Sequence, residues 1–195
     1  MANTTFNGPV RSENGFTVVS KNSSTGAVTT EFTLDTNGMQ VTPVALADTT
    51  AISLTATTHG GRVSVVPALS ANCTLTLPSP SAGVYFKLIY GGAAEETENL
   101  IISTGSNTNF YIGGIVHLDS NADNVSVYSD GNSNSILTLT DFGLFEINIL
   151  AKDSTNWYIW GNQEGADVPA FKVFIAPSIE LSSLRNAENP IFDNV

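Results

Sequence analysis

The sequence predicts an all-β protein: an antiparallel β-sandwich of jelly-roll type, with extended N- and C-terminal arms. Three observations carry that expectation. Apolar and polar residues alternate with a period of two along most of the chain, the signature of half-buried strands. The 20 Ser, 22 Thr and 19 Asn far outnumber the 7 Lys and Arg, a composition that favours strands and turns over helices. Short alternating runs recur about every 8–14 residues between Gly, Pro, Asn and Ser breakers, the rhythm of a sandwich or barrel.

The elements follow in order. Phe16–Val19 and Ala27–Leu34 flank the turn segment Lys21–Gly26 and read as a hairpin with a long turn. Ala51–Ala56, Arg62–Val66 and Cys73–Leu77 are short strands, each between breakers. Val84–Tyr90 is bounded by Gly83 and Gly91-Gly92, and Leu100–Ser103 follows an acidic loop; both read as half or fully buried. Phe110–Leu118, Val125–Tyr128, Ile136–Leu139, Leu144–Leu150 and Trp157–Trp160 complete the set. The spacing offers one short helix, Ser178–Arg185, with Ser178 as its N-cap.

A chain of 195 residues corresponds to one domain plus extensions, given roughly 150 residues per domain. Residues 1–48 form an arm with a β-hairpin, 49–165 the sandwich, and 166–195 an extended C-terminal segment. The arms are Asn-rich and contain Pro, yet they hold large apolar residues that a solvated tail would lack, so they are expected to bury against something. The expected partner contacts are Phe6, Pro9, Val10 and Phe16 in the first arm and Phe171, Phe174 and Phe192 in the second.

Charge and cysteine content exclude several classes of function. The net charge of −11 argues against nucleic acid and anionic membrane surfaces as partners, since both are polyanions. Cys73 is the single cysteine, which rules out an internal disulfide framework and a Cys-based zinc site; it is expected to pack as a small apolar group. No apolar run reaches the length of a membrane span, and Met1–Thr5 is not a basic region leading into an apolar stretch, so folding in a cytoplasm is expected.

No candidate catalytic, cofactor or metal site is assigned. Any triad must use His59 or His117; His117 and Asp119 would share a strand face, but no nucleophile elbow accompanies them. Asp119, Asn121 and Asp123 alternate like the ligands of a calcium loop, with Asp130 in the twelfth position. Asn124 stands where the loop's Gly is required, and a polar turn is the better reading. Glu95, Glu96 and Glu98 fall in one loop after Gly91-Gly92, which reads as solvated rather than as a rigid catalytic pair. In Trp157-Tyr158-Ile159-Trp160, a strand would turn Trp157 and Ile159 to one side and Tyr158 and Trp160 to the other, one set into the core and one towards solvent or a partner.

The opening Phe6-Asn7-Gly8-Pro9-Val10-Arg11-Ser12-Glu13-Asn14-Gly15-Phe16 resembles the start of small virion structural proteins of tailed bacteriophages. Leu75–Pro78, Ala82–Phe86, Gly143–Ile147 and Asp153–Gly161 resemble, in that order, the β-sandwich scaffold of phage decoration, fibre and spike proteins. The resemblance spans about residues 6–161 and implies a non-enzymatic protein, a homotrimer, bound to the major capsid protein on the virion exterior after assembly in the host cytoplasm. With no repeat or coiled-coil stem, a compact capsid decoration or cement protein is expected over a long fibre. The alternative is a receptor- or glycan-binding module of a fibre or tail spike. It would present a host surface glycan with the aromatics near Trp157 or the loops Asn107–Asn109 and Asn132–Asn134.

Overall fold

The computed structural model describes residues 12–13, 15–93, 95–119 and 124–173. Among them are fifteen strands and one helix of four residues, so the all-β class holds. The helix expected at 178–185 lies outside the described residues.

The first three strands form a sheet of their own. β1 (Phe16–Lys21), β2 (Val28–Asp35) and β3 (Gly38–Val41) run antiparallel in sequence order. The turn between β1 and β2 is organised by Asn22, whose Oδ1 accepts the backbone N–H groups of Ser24 and Thr25 at 2.9 and 3.0 Å. Asp35 plays the same role before β3, accepting the Asn37 N–H at 2.7 Å. Such side-chain-to-backbone bonds are why Asn and Asp favour turns. Facing pairs Phe16–Leu34–Met39 and Val18–Phe32–Val41 place the apolar residues of all three strands on one face.

The next six strands alternate between two larger sheets: β4 (Val44–Ala45), β5 (Ala51–Ser53), β6 (Val63–Val66), β7 (Cys73–Thr76), β8 (Tyr85–Tyr90) and β9 (Leu100–Ser103). The one-turn helix α1 (Ala56–His59) lies between β5 and β6, capped by the Thr55 side chain. β10 (Phe110–Leu118), β11 (Val125–Tyr128), β12 (Asn134–Leu139), β13 (Phe142–Ala151), β14 (Asn156–Gly165) and β15 (Ala170–Val173) complete the strands among the described residues. The seven-stranded sheet has the order β11-β10-β14-β13-β8-β6-β4, and the five-stranded sheet β15-β12-β9-β7-β5.

The expected antiparallel arrangement is corrected here, because both sheets are mixed. β4–β6, β6–β8, β5–β7, β7–β9 and β10–β14 are parallel. From β4 to β9 each strand is followed by one in the opposite sheet, so the chain returns to a given sheet running in its earlier direction. A jelly roll is antiparallel throughout, and this winding departs from it. Period-two alternation is the same in both kinds of ladder, which is why the residues alone do not separate them.

The two sheets share one buried cluster. Phe86, Leu88, Tyr111, Ile147, Ile149 and Trp157 come from the seven-stranded sheet, and Leu75, Leu100, Ile102, Leu137 and Leu139 from the five-stranded one. Cys73 lies in the same cluster as a free thiol, packed as a small apolar side chain. The Tyr111 hydroxyl donates to the Ile102 carbonyl at 3.1 Å and so joins the two sheets through the core.

The limits of these sheets differ from the expected boundaries at 48 and 165. β4 already belongs to the seven-stranded sheet, and β15 pairs antiparallel with β12. Phe171, expected to meet a partner, is partly buried and packs against Tyr111 with ring centroids 6.0 Å apart. Ala170–Val173 pairs along β12 and forms the edge strand of the five-stranded sheet.

Candidate binding face

The outward face of the seven-stranded sheet gathers most of the exposed aromatic residues among those described into one area. Its position follows from alternation in β14, where Trp157 and Ile159 are buried while Tyr158 and Trp160 are exposed. Register then sets the neighbours. Trp160 faces Gly114 on one side and Asn148 on the other, Gly114 faces Tyr128, and Asn148 faces Lys87. One cross-strand row therefore reads Tyr128, Gly114, Trp160, Asn148, Lys87. The row beside it holds Tyr158, Leu150 and Tyr85, and the one on the other side Val116, Asn162 and Glu146.

Gly114 makes this row possible. A Cβ at that position would stand 2.6 Å from the Tyr128 ring and 2.3 Å from the Val127 carbonyl oxygen. The missing side chain lets Tyr128 lie across the glycine, with 72% of its surface open to solvent. Trp160 is 44% exposed and stacks on Tyr85, with ring centroids 6.3 Å apart and planes at 26°.

A polar network underlies the rings. The Tyr85 hydroxyl donates to Asn148 Oδ1, and Asn148 Nδ2 donates to Glu146 Oε1 at 3.3 Å. Lys87 Nζ pairs with the same carboxylate oxygen at 2.9 Å, and the Glu146 backbone N–H donates to Asn162 Oδ1 at 3.3 Å. The Lys87 ammonium and then the Asn148 amide hold the Glu146 carboxyl below its usual range, while burial raises the Tyr85 phenol. Asn148 is buried although it points outward, because Tyr85, Trp160 and Lys87 cover it. The result is a flat, aromatic surface whose charges cancel locally.

Other residues singled out in the sequence fall elsewhere. His117 is fully buried beside Gln163, with no Ser or Cys nucleophile among its register neighbours. His59 ends α1, and its Nδ1 accepts the Thr55 backbone N–H at 3.0 Å. Asp130 spends its carboxylate on its own turn, accepting the N–H groups of Asn132, Ser133 and Asn134 and the Ser133 hydroxyl. Those bonds hold its carboxyl far below the usual range. Asn121 and Asp123 lie outside the described residues, as do Phe6, Pro9, Val10, Phe174 and Phe192. No cluster of metal-ligating side chains occurs among the described residues.

The acidic loop differs from the solvated turn expected of it. Glu96 is buried and accepts the Tyr90 hydroxyl, and its backbone N–H donates to Phe142 at 2.8 Å. Burial, followed by the bond to Glu96, raises the Tyr90 phenol to about 12. Glu95 accepts the Ala166 N–H at 2.7 Å and lines a cavity of about 240 Å³ together with Tyr90, Leu144 and Glu164. Local sequence shows three acids; only the fold shows that one of them plugs the end of the core.

Of the residues on the outer face, the sequence singled out Tyr158 and Trp160 as one of two possible outward sets in their strand. Tyr85, Lys87, Tyr128, Glu146 and Asn148 fell within expected strands, but their convergence depends on a strand order that β10 and β14 reach only through parallel pairing. No protein-family model matches this chain, and no curated protein is significantly similar to it.

Proposed function

We propose that this chain is a non-enzymatic structural protein of a tailed-phage virion, a decoration or cement protein that binds the major capsid protein on the shell exterior. In this reading the two larger sheets form a sandwich and β1–β3 is the arm that attaches it. The observation that carries the reading is the apolar face of the arm: Phe16, Val18, Val28, Leu34 and Met39 are exposed, with Met39 at 70%. The proximal part of the same face, Val18, Phe32 and Val41, lines a cleft of about 630 Å³ next to Gly60, Gly61 and Arg62.

Side chains exposed to this degree would each contribute on the order of 1 kcal/mol on being covered by a shell subunit. Five or six of them are enough to hold a module on a lattice that offers many equivalent sites. A chain of net charge −11 with so few basic residues has little to offer an electrostatic anchor, and an apolar face needs none. A homotrimer fits the same reading, since the sheets end in edge strands that association would cover.

Particles stripped of the protein and mixed with it should regain resistance to heat or low salt. Leu34→Glu combined with Met39→Glu, both at exposed positions, should abolish rebinding while the protein stays folded. Full rebinding by that variant would place the anchor elsewhere. Sedimentation at micromolar concentration tests the trimer.

A further inference from the structure

We propose that the outward face of the seven-stranded sheet is a binding site for a neutral glycan chain, seated on Tyr128 and Trp160 along the row that continues to Asn148 and Lys87. The proposal rests on that face alone and stands whether or not the protein is mounted on a capsid.

A pyranose ring has one face of C–H bonds and a rim of hydroxyls. The C–H face is attracted to the electron-rich face of an aromatic ring, and exposed aromatic side chains flat on a sheet are built to receive it. Tyr128 and Trp160 sit two strands apart, about 10 Å, on the same side of the sheet. That separation lets two units of one sugar chain lying across the strands each meet a ring. Gly114 between them carries no side chain, and the Tyr128 ring lies across it.

Hydroxyls need donors and acceptors at the rim, and the third row supplies them. Glu146 has a second carboxylate oxygen beyond the one engaged by Lys87 and Asn148, and Asn162 has its amide nitrogen. These groups are already positioned by their mutual bonds, which lowers the ordering cost of binding. The surface has no enclosing walls, so a single small molecule would bury too little of itself; a chain that touches several side chains is required.

Charge selects the glycan type. Lys87 and Glu146 neutralise each other, leaving no cationic patch for an acidic polysaccharide, and the net charge of −11 repels one. A protein partner is the less favoured occupant, because the centre of a protein interface is depleted of charged residues, whereas here the ion pair and its amide partners adjoin the rings.

The test uses the intact protein and its tryptophan fluorescence. Trp157 is fully buried, so Trp160 alone of the two tryptophans can report a ligand on this face. Cellohexaose, maltohexaose, chitohexaose and mannohexaose are titrated, with an alginate oligomer as the acidic control. At least one neutral hexasaccharide should shift the emission saturably, equally at low and high salt. Tyr128→Ala should weaken its binding about tenfold or more, and Trp160→Ala should abolish binding measured by calorimetry. Absence of binding by all four neutral probes would overturn the proposal, as would binding by the alginate oligomer alone or binding that survives both substitutions. Dissociation of a solution oligomer by Trp160→Arg would also overturn it, by making this face a subunit interface. Rebinding of the Trp160→Ala protein to stripped particles distinguishes failure of this site from failure of the capsid reading.

Discussion

Arg62 and Glu31 form an ion pair of 2.7 Å that ties the N-terminal sheet to the start of β6. Arg62 reinforces the link by donating from Nε to the Thr42 carbonyl at 2.8 Å, and Ser20 donates to the other Glu31 oxygen at 2.6 Å. Both side chains are mostly shielded, so the pair should matter more than an exposed one. Arg62→Ala is expected to cost about 1 kcal/mol. The loss should appear as faster amide exchange in β1–β3, with exchange in β8, β13 and β14 unchanged.

The two tryptophans should respond very unequally to truncation. Trp157 is fully buried against Phe86, with ring centroids 5.8 Å apart, and Trp157→Ala should destabilise by about 3–5 kcal/mol because it empties the centre of the cluster. Trp160→Ala removes only a half-exposed ring and its stacking on Tyr85, and should cost about 1 kcal/mol. Thermal melts of the two variants give the comparison.

His59 gives the fold a dependence on mildly acidic pH. Burial holds its imidazole below the ordinary value of 6.5, with Arg62 acting in the same direction. The folded state thus prefers neutral His59, whose Nδ1 accepts the Thr55 N–H. A depressed folded pKa contributes stability that is fully present above 6.5 and is lost as pH falls through the folded value. Comparing wild type with His59→Gln by denaturant unfolding, the difference should be largest at neutral pH and shift against the wild type as pH drops.

His117 and Gln163 face each other across β10 and β14, both fully buried. Among the described residues neither imidazole nitrogen of His117 nor Oε1 of Gln163 has a hydrogen-bond partner. A buried polar group left unpaired costs about 1–3 kcal/mol, so His117→Leu, of similar size, should raise the melting temperature. A lower melting temperature would show that the imidazole is satisfied after all.

Most of the strands, though not β3, β4 or β15, were determined by the sequence itself. Alternation in Phe110–Leu118, Leu144–Leu150 and Trp157–Trp160 marks the strands and sorts their residues into two faces, because side-chain direction in a strand is a local property with a period of two; which face is the core came from the fold. The absence of helical periodicity and the Asn and Asp turn signals were local in the same way. β3 and β4 were not legible: Gly38–Val41 and Val44–Ala45 are too short to show alternation and are strands only because a neighbour pairs with them.

Only the tertiary structure decided how those strands are ordered, and with them the candidate site. Parallel pairing of β10 with β14 brings Gly114 beside Trp160, and pairing of β10 with β11 brings Tyr128 to the other side. Residues 114, 128 and 160 are far apart in the chain, and no local preference of theirs selects a partner strand. That choice belongs to the burial of a shared core, where Trp157, Phe86 and Leu137 are covered only when two sheets close over them. Alternation sends Trp160 outward; the packing of everything beneath it determines what stands next to it.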